Sequence, residues 1–338
     1  MKAVVLVGGQ GTRLRPLTET IKKELLPLVD RPILDHTLDR LVRHGVHEVV
    51  LSSSYLEETF DAFLRARHGE PRITWITETE PLDTGGAIVN ALPALDTDEP
   101  FLALNGDILT DLDVSRMLAF HREREASATI ALTHVEDARA FGLVPLDGEG
   151  RVVEFREKPA DLVPGDINAG TYVLEPSALG AWELGERVSI ERTIFPTLIR
   201  DGRPLFGFVS NAYWRDLGTP QAYLQATFDL LDRIVEGEPP FEAPFVADGG
   251  RIDEGAETNA HVVVGPGSSI GSGAAVTDSV LHAGVRVTEG ARVSNSVLGP
   301  GSRIRAARVE GSVLGQGVTV LPGAELVDAR VDPGATVS

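Results

Sequence analysis

The 338-residue chain carries 50 acidic against 31 basic residues, a formal charge of −19, and no cysteine. This excludes disulfides and thiolate metal sites and argues against a surface that follows a nucleic-acid backbone, while 42% apolar content suffices for a full α/β domain and a smaller second one. No apolar run approaches the ~18 residues of a membrane span and no charged-then-apolar leader is present, so a cytoplasmic protein without membrane or nucleic-acid partners is expected.

In chain order the first element is a strand over Val4 to Val7 that runs into Gly8-Gly9-Gln10-Gly11-Thr12-Arg13-Leu14-Arg15. A strand ending in glycines presents backbone N–H groups, and Arg13, Arg15 and Lys23 add the fixed charge that a polyphosphate needs. The turn has neither the Gly-Lys-Ser/Thr ending of a P-loop nor the third glycine of a dinucleotide fingerprint. Ile33, Leu34, Leu38, Leu41 and Val42 then repeat at helical spacing up to Gly45, and Leu56 to Ala66 gives a second such stretch. Short apolar strands are expected at 49–51, 73–76, 101–104 and 129–132. Their alternation with helices predicts an α/β, Rossmann-like domain with a mainly parallel sheet. Ligands of such sheets sit beyond the carboxyl ends of the strands, where Gly8 to Arg15 and Asn105 to Asp107 fall.

From Gly142 a hairpin is expected, pairing 142–146 with 152–155 around the turn Asp147-Gly148-Glu149-Gly150. Val188 to Ile199 is predicted helical with Ser189 as N-cap, and Pro220 opens a last helix to about Val235. The proline-bearing stretch 236–250 reads as a linker between a domain at 1–235 and a tail at 251–338. Lys2, Lys22, Lys23 and Lys158 are the only lysines, so those that survive in an arginine-biased chain mark places that want a compact ammonium.

In the tail the period changes. Val264, Ile270 and Val276 lie six apart, as do Leu281, Val287 and Val293, then Leu298 and Ile304, then Leu314, Val320 and Leu326. Ser279-Val280-Leu281, Ser296-Val297-Leu298 and Ser312-Val313-Leu314 restart the cycle every 16 or 17 residues, which predicts a β-helix with three short faces per coil. Stacked coils offer a flat edge, so the tail is expected to assemble a homo-oligomer. His261 and His282 lie in or beside the coils and raise an acyl-transfer reading, but His282 stands where neighbouring coils carry glycine.

The segment Gly8 to Pro32, GGQGTRLRPLTETIKKELLPLVDRP, resembles the signature of the sugar-1-phosphate nucleotidylyltransferases. The resemblance continues in order through Leu104-Asn105-Gly106-Asp107, Phe155-Arg156-Glu157-Lys158-Pro159, Ile167-Asn168-Ala169-Gly170, Ser189-Ile190-Glu191-Arg192 and Trp214-Arg215-Asp216-Leu217-Gly218. It spans the first two thirds of the chain. Ser189 to Arg192 ahead of Phe195-Pro196, with the form of the tail, is most similar to mannose-1-phosphate guanylyltransferases with hexapeptide repeats, whose tails are left-handed β-helices.

This resemblance implies Mg²⁺-dependent transfer of a nucleotidyl group from an NTP, GTP in the first place, to a hexose 1-phosphate, most closely mannose 1-phosphate. Lys22-Lys23-Glu24 replaces the Pro-Lys-Pro usual in guanylyltransferases, and Leu82-Asp83-Thr84-Gly85-Gly86 replaces Leu-Gly-Thr-Ala-Gly. The alternative is therefore UTP, dTTP or ATP with glucose 1-phosphate or a cyclitol phosphate. The resemblance implies that Arg13 and Lys23 hold the triphosphate and departing pyrophosphate. Leu6, Gly8, Gly9, Gly11, Thr12, Gly85 and Gly86 would complete the nucleotide site. Asp107 and Asp216 would bind Mg²⁺, and Lys158 would neutralise the sugar phosphate. Asn105, Gly142, Glu157 and Asn168 would receive the sugar. With this charged set intact, a non-catalytic regulatory subunit is disfavoured.

Overall fold

The computed structural model describes residues 1–53, 57–158 and 160–338. They form two compact units, Met1–Gly9 with Thr37–Trp214, and Gln10–His36 with Arg215–Ser338. The helices are α1 (Ile33–Arg43), α2 (Glu57–Ala66), α3 (Asp83–Leu95), α4 (Val114–Glu123), α5 (Phe195–Arg200) and α6 (Pro220–Leu231).

In the first unit the apolar runs form a sheet in the order 72–77, 48–53, 2–6, 101–105, all parallel. The long strand Gly165–Leu174 joins 101–105 antiparallel and pairs with Ala128–Val135, beside which Leu205–Val209 runs parallel. Continuous apolar strands suit this arrangement because a mainly parallel sheet is covered on both faces. Val4, Val50, Ile88, Phe101, Tyr172 and Phe195 belong to one buried core, and α3 packs on the 2–6 and 48–53 strands. The helix expected from Leu56 begins among the described residues at Glu57. Leu6 is in register with Asn105, and the Gly106 N–H donates to the Leu6 carbonyl at 2.9 Å. The glycines after the first strand and Asp107 after the fourth therefore leave the sheet side by side.

Two elements differ from the sequence expectation. The hairpin turns at Asp147–Gly150 as expected, with Leu146 bridged to Val152 and the Val153 N–H donating to the Pro145 carbonyl at 3.1 Å, but its regular strand pairing lies farther out, between Gly142–Leu143 and Arg156–Glu157. The Asp147 carboxylate accepts from the Glu149 and Arg151 amides and winds that stretch into a tight turn. Ahead of α5, residues Ile190–Ile194 form a wide π-turn capped by the Ser189 hydroxyl, and Pro196, with no N–H, follows.

In the second unit the tail builds three parallel sheets, one per face, in which each strand pairs with the strand one coil later. This three-faced β-helix is the arrangement expected of a left-handed hexapeptide tail. The residues at six-residue spacing line its interior: Val264, Ile270, Val276, Leu281, Val287, Val293, Leu298, Ile304, Leu314 and Val320 are all buried, and Leu326 packs against them. Its first paired strand, Phe245–Val246, lies inside the stretch read as a linker. One corner repeats Asp278, Asn295, Gly311 and Asp328, each with positive φ. The serine that follows stacks on the next: Ser279 Oγ accepts from the Ser296 amide, Ser296 Oγ from the Ser312 amide, and Ser312 Oγ from the Ala329 amide, at 3.0–3.1 Å.

Helix α6 opens at Pro220 behind the Thr219 cap and ends at Leu231, earlier than Val235, where Arg233 turns to positive φ. Phe228 stacks on His261 with ring centroids 4.6 Å apart, while Asp232 and Asp278 hold the two nitrogens of that ring. The Tyr223 hydroxyl donates to the Pro27 carbonyl, so the His282 Nε2–H, 3.1 Å away, donates to the hydroxyl oxygen. Both histidines raised in connection with acyl transfer thus have structural partners.

Candidate active site

In the first unit a cleft of about 250 Å³ is lined by Asp83, Thr84, Phe141, Gly142, Lys158, Asn168, Ser189, Glu191 and Arg192. The structure therefore brings together three residues expected at the sugar, Gly142, Lys158 and Asn168. The hairpin register explains the placement of the first two. Glu157 pairs with Gly142 through the backbone, and the Lys158 amide donates to the Phe141 carbonyl at 3.0 Å. Lys158 is exposed and takes a left-handed backbone, φ 48°. That conformation is uncommon for a side chain with a Cβ and costs about 1 kcal/mol or more, strain of the kind that gathers at binding sites. Pro159 lies outside the described residues.

The opposite wall is a hydrogen-bond network about a carboxylate to which the sequence assigned no role. Glu191 Oε2 accepts from Thr84 Oγ1 at 2.8 Å and from Ser189 Oγ at 2.9 Å. The Tyr172 hydroxyl approaches its other oxygen at 3.4 Å and accepts from Asn168 Nδ2 at 2.8 Å, while the Gly170 amide donates to Asn168 Oδ1 at 2.9 Å. Asn168 is thus fixed in orientation with one Nδ2–H left over. Asp83 carries an ion pair to Arg187 at 3.2 Å. The cleft consequently offers two cations, Lys158 and Arg192, two carboxylates, and fixed amide and hydroxyl groups, a composition suited to a polar, singly phosphorylated ligand. Glu191 and Thr84 lay within segments already singled out, but only the fold brings positions 84 and 191 together. A carboxylate in the first turn of a helix, between apolar Ile190 and Phe195, was the available signal.

The other expected residues lie elsewhere. Half-buried Leu6 ends the first strand in register with Asn105; Gly8 and Gly9 follow after Val7, and half-buried Asp107 follows Asn105 and Gly106. Asn105 packs against Gly170 rather than lining the cleft. Gly85 and Gly86 are buried in the first turn of α3. A Cβ on Gly86 would run into the Glu186 carbonyl, so close packing on the 186–194 segment is what these glycines serve in this fold.

In the second unit Gly11, with φ 59°, starts a single 3-10 turn, Thr12–Leu14. A side chain at Gly11 would meet Thr18 at 3.0 Å and Lys23 at 3.3 Å, so a left-handed turn and close packing both require glycine there. Arg13 is largely exposed, and its Nη2 lies 3.6 Å from Asp216 Oδ2. Lys23 faces Glu24 Oε1 at 3.7 Å, and Glu24 and Lys22 are buried, so the departure from Pro-Lys-Pro is built into packing. Arg330, in the Arg330–Val331 strand of the tail, donates from Nη1 to the Arg13 and Arg15 carbonyls, both at 2.7 Å.

Among the described residues no group of three or more His, Asp or Glu side chains makes a metal cage by itself. Asp107 and Asp216 are single carboxylates. Each offers the kind of oxygen donor that a hard divalent ion such as Mg²⁺ takes singly, beside water and substrate phosphate oxygens. No helix among the described residues is long and apolar enough to cross a membrane.

The family profile described as Nucleotidyl transferase matches residues 2–233, and one described as GMPPB C-terminal domain matches 242–338. The chain is 41% identical over 291 residues to a mannose-1-phosphate guanylyltransferase of Mycobacterium tuberculosis, covering 84% of this chain and 80% of the relative. It is 38% identical to the mannose-1-phosphate guanylyltransferase catalytic subunit beta of Danio rerio, covering 71% and 67%. The crystal structure of HddC from Yersinia pseudotuberculosis complexed with GMP-PN superposes with a TM-score of 0.60 at 28% identity, over 68% of this chain and 98% of that one.

Proposed function

The chain belongs to the nucleotidyl transferase family, and from that premise we propose that it transfers GMP from GTP to mannose 1-phosphate, giving GDP-mannose and pyrophosphate, with Mg²⁺. The observation that carries the sugar half is the cleft in which Lys158, Gly142 and Asn168 meet the Glu191 network. The base and sugar follow the mannose-1-phosphate guanylyltransferases to which the chain is 38–41% identical.

In the reaction an oxygen of the sugar phosphate attacks the α-phosphorus of GTP in line, forming one P–O bond as the bond to the β-phosphate oxygen breaks. Both reactants are anions, so the protein's task is orientation and neutralisation, without a covalent nucleophile. In this proposal Lys158 binds the sugar phosphate as a point charge, and Glu157, Asn168 and Gly142 seat the ring. Gly8, Gly9, Gly11 and Thr12 approach the nucleotide with backbone amides. Arg13 and Lys23 take the charge that builds on the departing pyrophosphate. Asp107 and Asp216 would be the carboxylate donors for the divalent ion, which when bound would supply charge neutralisation at the phosphates. The proposal divides the chain into a catalytic domain at 1–235 and a β-helical tail, with the connection read at 236–250 shortened by the Phe245–Val246 strand that already pairs with the coils. It also includes self-association through the β-helix edge, measurable by analytical ultracentrifugation, and a cytoplasmic setting in keeping with the absence of cysteine.

Pyrophosphate release over a matrix of GTP, ATP, UTP and dTTP against mannose 1-phosphate, glucose 1-phosphate and cyclitol phosphates tests the proposal. GTP with mannose 1-phosphate is expected to be fastest, and no release from any pair refutes the reaction. Asp107→Asn and Asp216→Asn are each expected to lower Mg²⁺-dependent turnover at least ~100-fold with an unchanged circular-dichroism spectrum. Near-normal rates in both would remove the metal assignment.

A further inference from the structure

We infer that Arg330, at the far end of the β-helix, is a positioning residue for the Gly11–Arg15 turn. The inference rests on the proposed reading of that turn as the triphosphate site.

A single 3-10 turn is a weak element. Thr12–Leu14 closes only two internal backbone bonds, Leu14 N–H to the Gly11 carbonyl at 2.9 Å and Arg15 N–H to the Thr12 carbonyl at 3.3 Å, with the Thr18 hydroxyl adding a second donor to Gly11. The carbonyls at the end of a short helical turn lack amide donors of their own. Arg330 Nη1 supplies one proton to each of the Arg13 and Arg15 carbonyls, both at 2.7 Å, short as expected of charge-assisted bonds.

Two effects follow. The turn's direction is fixed by a residue more than 300 positions away in the chain. The negative ends of two carbonyl dipoles are turned toward a guanidinium instead of facing an incoming polyanion. The Arg13 side chain, 65% exposed, then remains available to a phosphate. None of this requires Arg330 to touch substrate. The tail thereby contributes to the nucleotide half of the reaction through a backbone contact made in its Arg330–Val331 strand.

The test compares the full-length protein with Arg330→Ala and Arg330→Lys, using hydrogen exchange of the Leu14 and Arg15 amides and steady-state kinetics with GTP and mannose 1-phosphate. In Arg330→Ala those amides should exchange roughly tenfold faster, reporting a looser turn. KM for GTP should rise about 5- to 10-fold, the exposure of the contact keeping the effect modest. KM for mannose 1-phosphate should change less than about twofold and Tm should not move, because the contact lies outside both cores. Arg330→Lys, which keeps a cation with three donors, should restore most of both effects.

A raised KM for GTP without faster exchange would mean that Arg330 meets the nucleotide directly, and overturns the positioning role. Faster exchange without a change in KM, or no change in either, overturns it as well. So does a joint loss of both substrates with a lowered Tm that lysine does not restore. If the wild-type protein turns over no nucleotide and sugar phosphate, the functional reading fails. The exchange comparison still decides whether Arg330 holds the turn.

Discussion

Lys158 shows how a single residue can be legible in a sequence while its reason is not. Its rarity and its Glu-Lys-Pro setting marked it, but its left-handed backbone and the hydrogen bond its amide N–H donates to the Phe141 carbonyl belong to the fold. Lys158→Ala is expected to lower kcat/KM about 50-fold or more, chiefly through KM for the sugar phosphate, and Lys158→Arg to recover only part of it. Initial rates at varied sugar phosphate decide this. His282 gives a second residue-scale outcome. Burial pushes its imidazole down to about 4, so the folded protein holds it neutral against the Tyr223 hydroxyl, whose own proton is held more tightly by burial. An unfolded histidine titrates near 6.5, so His282 stabilises the fold fully above that pH and its contribution is lost as pH falls from about 6.5 to about 4, on the order of 3 kcal/mol in all. Denaturant melts at neutral pH and near pH 5 should show this slope, and His282→Gln should flatten it. Had acid left wild type and variant with parallel slopes, the histidine would not be buried neutral.

At the scale of elements, periodicity carried furthest where burial is uniform. The six-residue apolar spacing named the β-helix interior residue for residue, and the apolar runs named the parallel strands, because both patterns are set by which side chains face the core. The hairpin turn at Asp147–Gly150 was legible locally, but the outer pairing of Gly142–Leu143 with Arg156–Glu157 was not, since the long strand Gly165–Leu174 also pairs there. Nor did the repeated serine before each Val-Leu pair explain itself. It proves to be a corner ladder in which each hydroxyl accepts the amide of the next coil. Ser296→Ala leaves the Ser312 amide without that acceptor and should cost about 1–2 kcal/mol of tail stability in urea unfolding, while Ser296→Thr, which keeps the hydroxyl, should cost less. Equal losses in the two variants would assign the serine to packing alone.

At the scale of the whole molecule, the sequence order suggested a catalytic part followed by a tail, and the fold groups the chain differently. Gln10–His36 belongs to the compact unit that also holds Arg215–Ser338, through contacts no local pattern announces: Tyr223 to Pro27, Glu238 to Arg31 and His36, Arg13 to Asp216. The residues assigned to the reaction were thus readable by motif one at a time. The company each keeps was not, because it is set by pairs 200 or so positions apart, such as Arg31 with Glu238.

The β-helix also measures distance. His282 and Arg330 both hold partners outside the coils, and between their strands the ladder advances three rungs, from Ser279–Leu281 through Val297–Leu298 and Val313–Leu314 to Arg330–Val331. At roughly 4.8 Å per rung the two attachments stand about 14 Å apart, an interval that only a whole number of coils can span. Excising residues 297–312 would splice Ser296 to Val313 with the serine ladder intact, yet draw Arg330 back by about one rung, beyond hydrogen-bond reach of the Arg13 and Arg15 carbonyls. The number of coils is therefore a gauge length, and a tail one repeat shorter is expected to fold and still leave the turn at Gly11 unclasped.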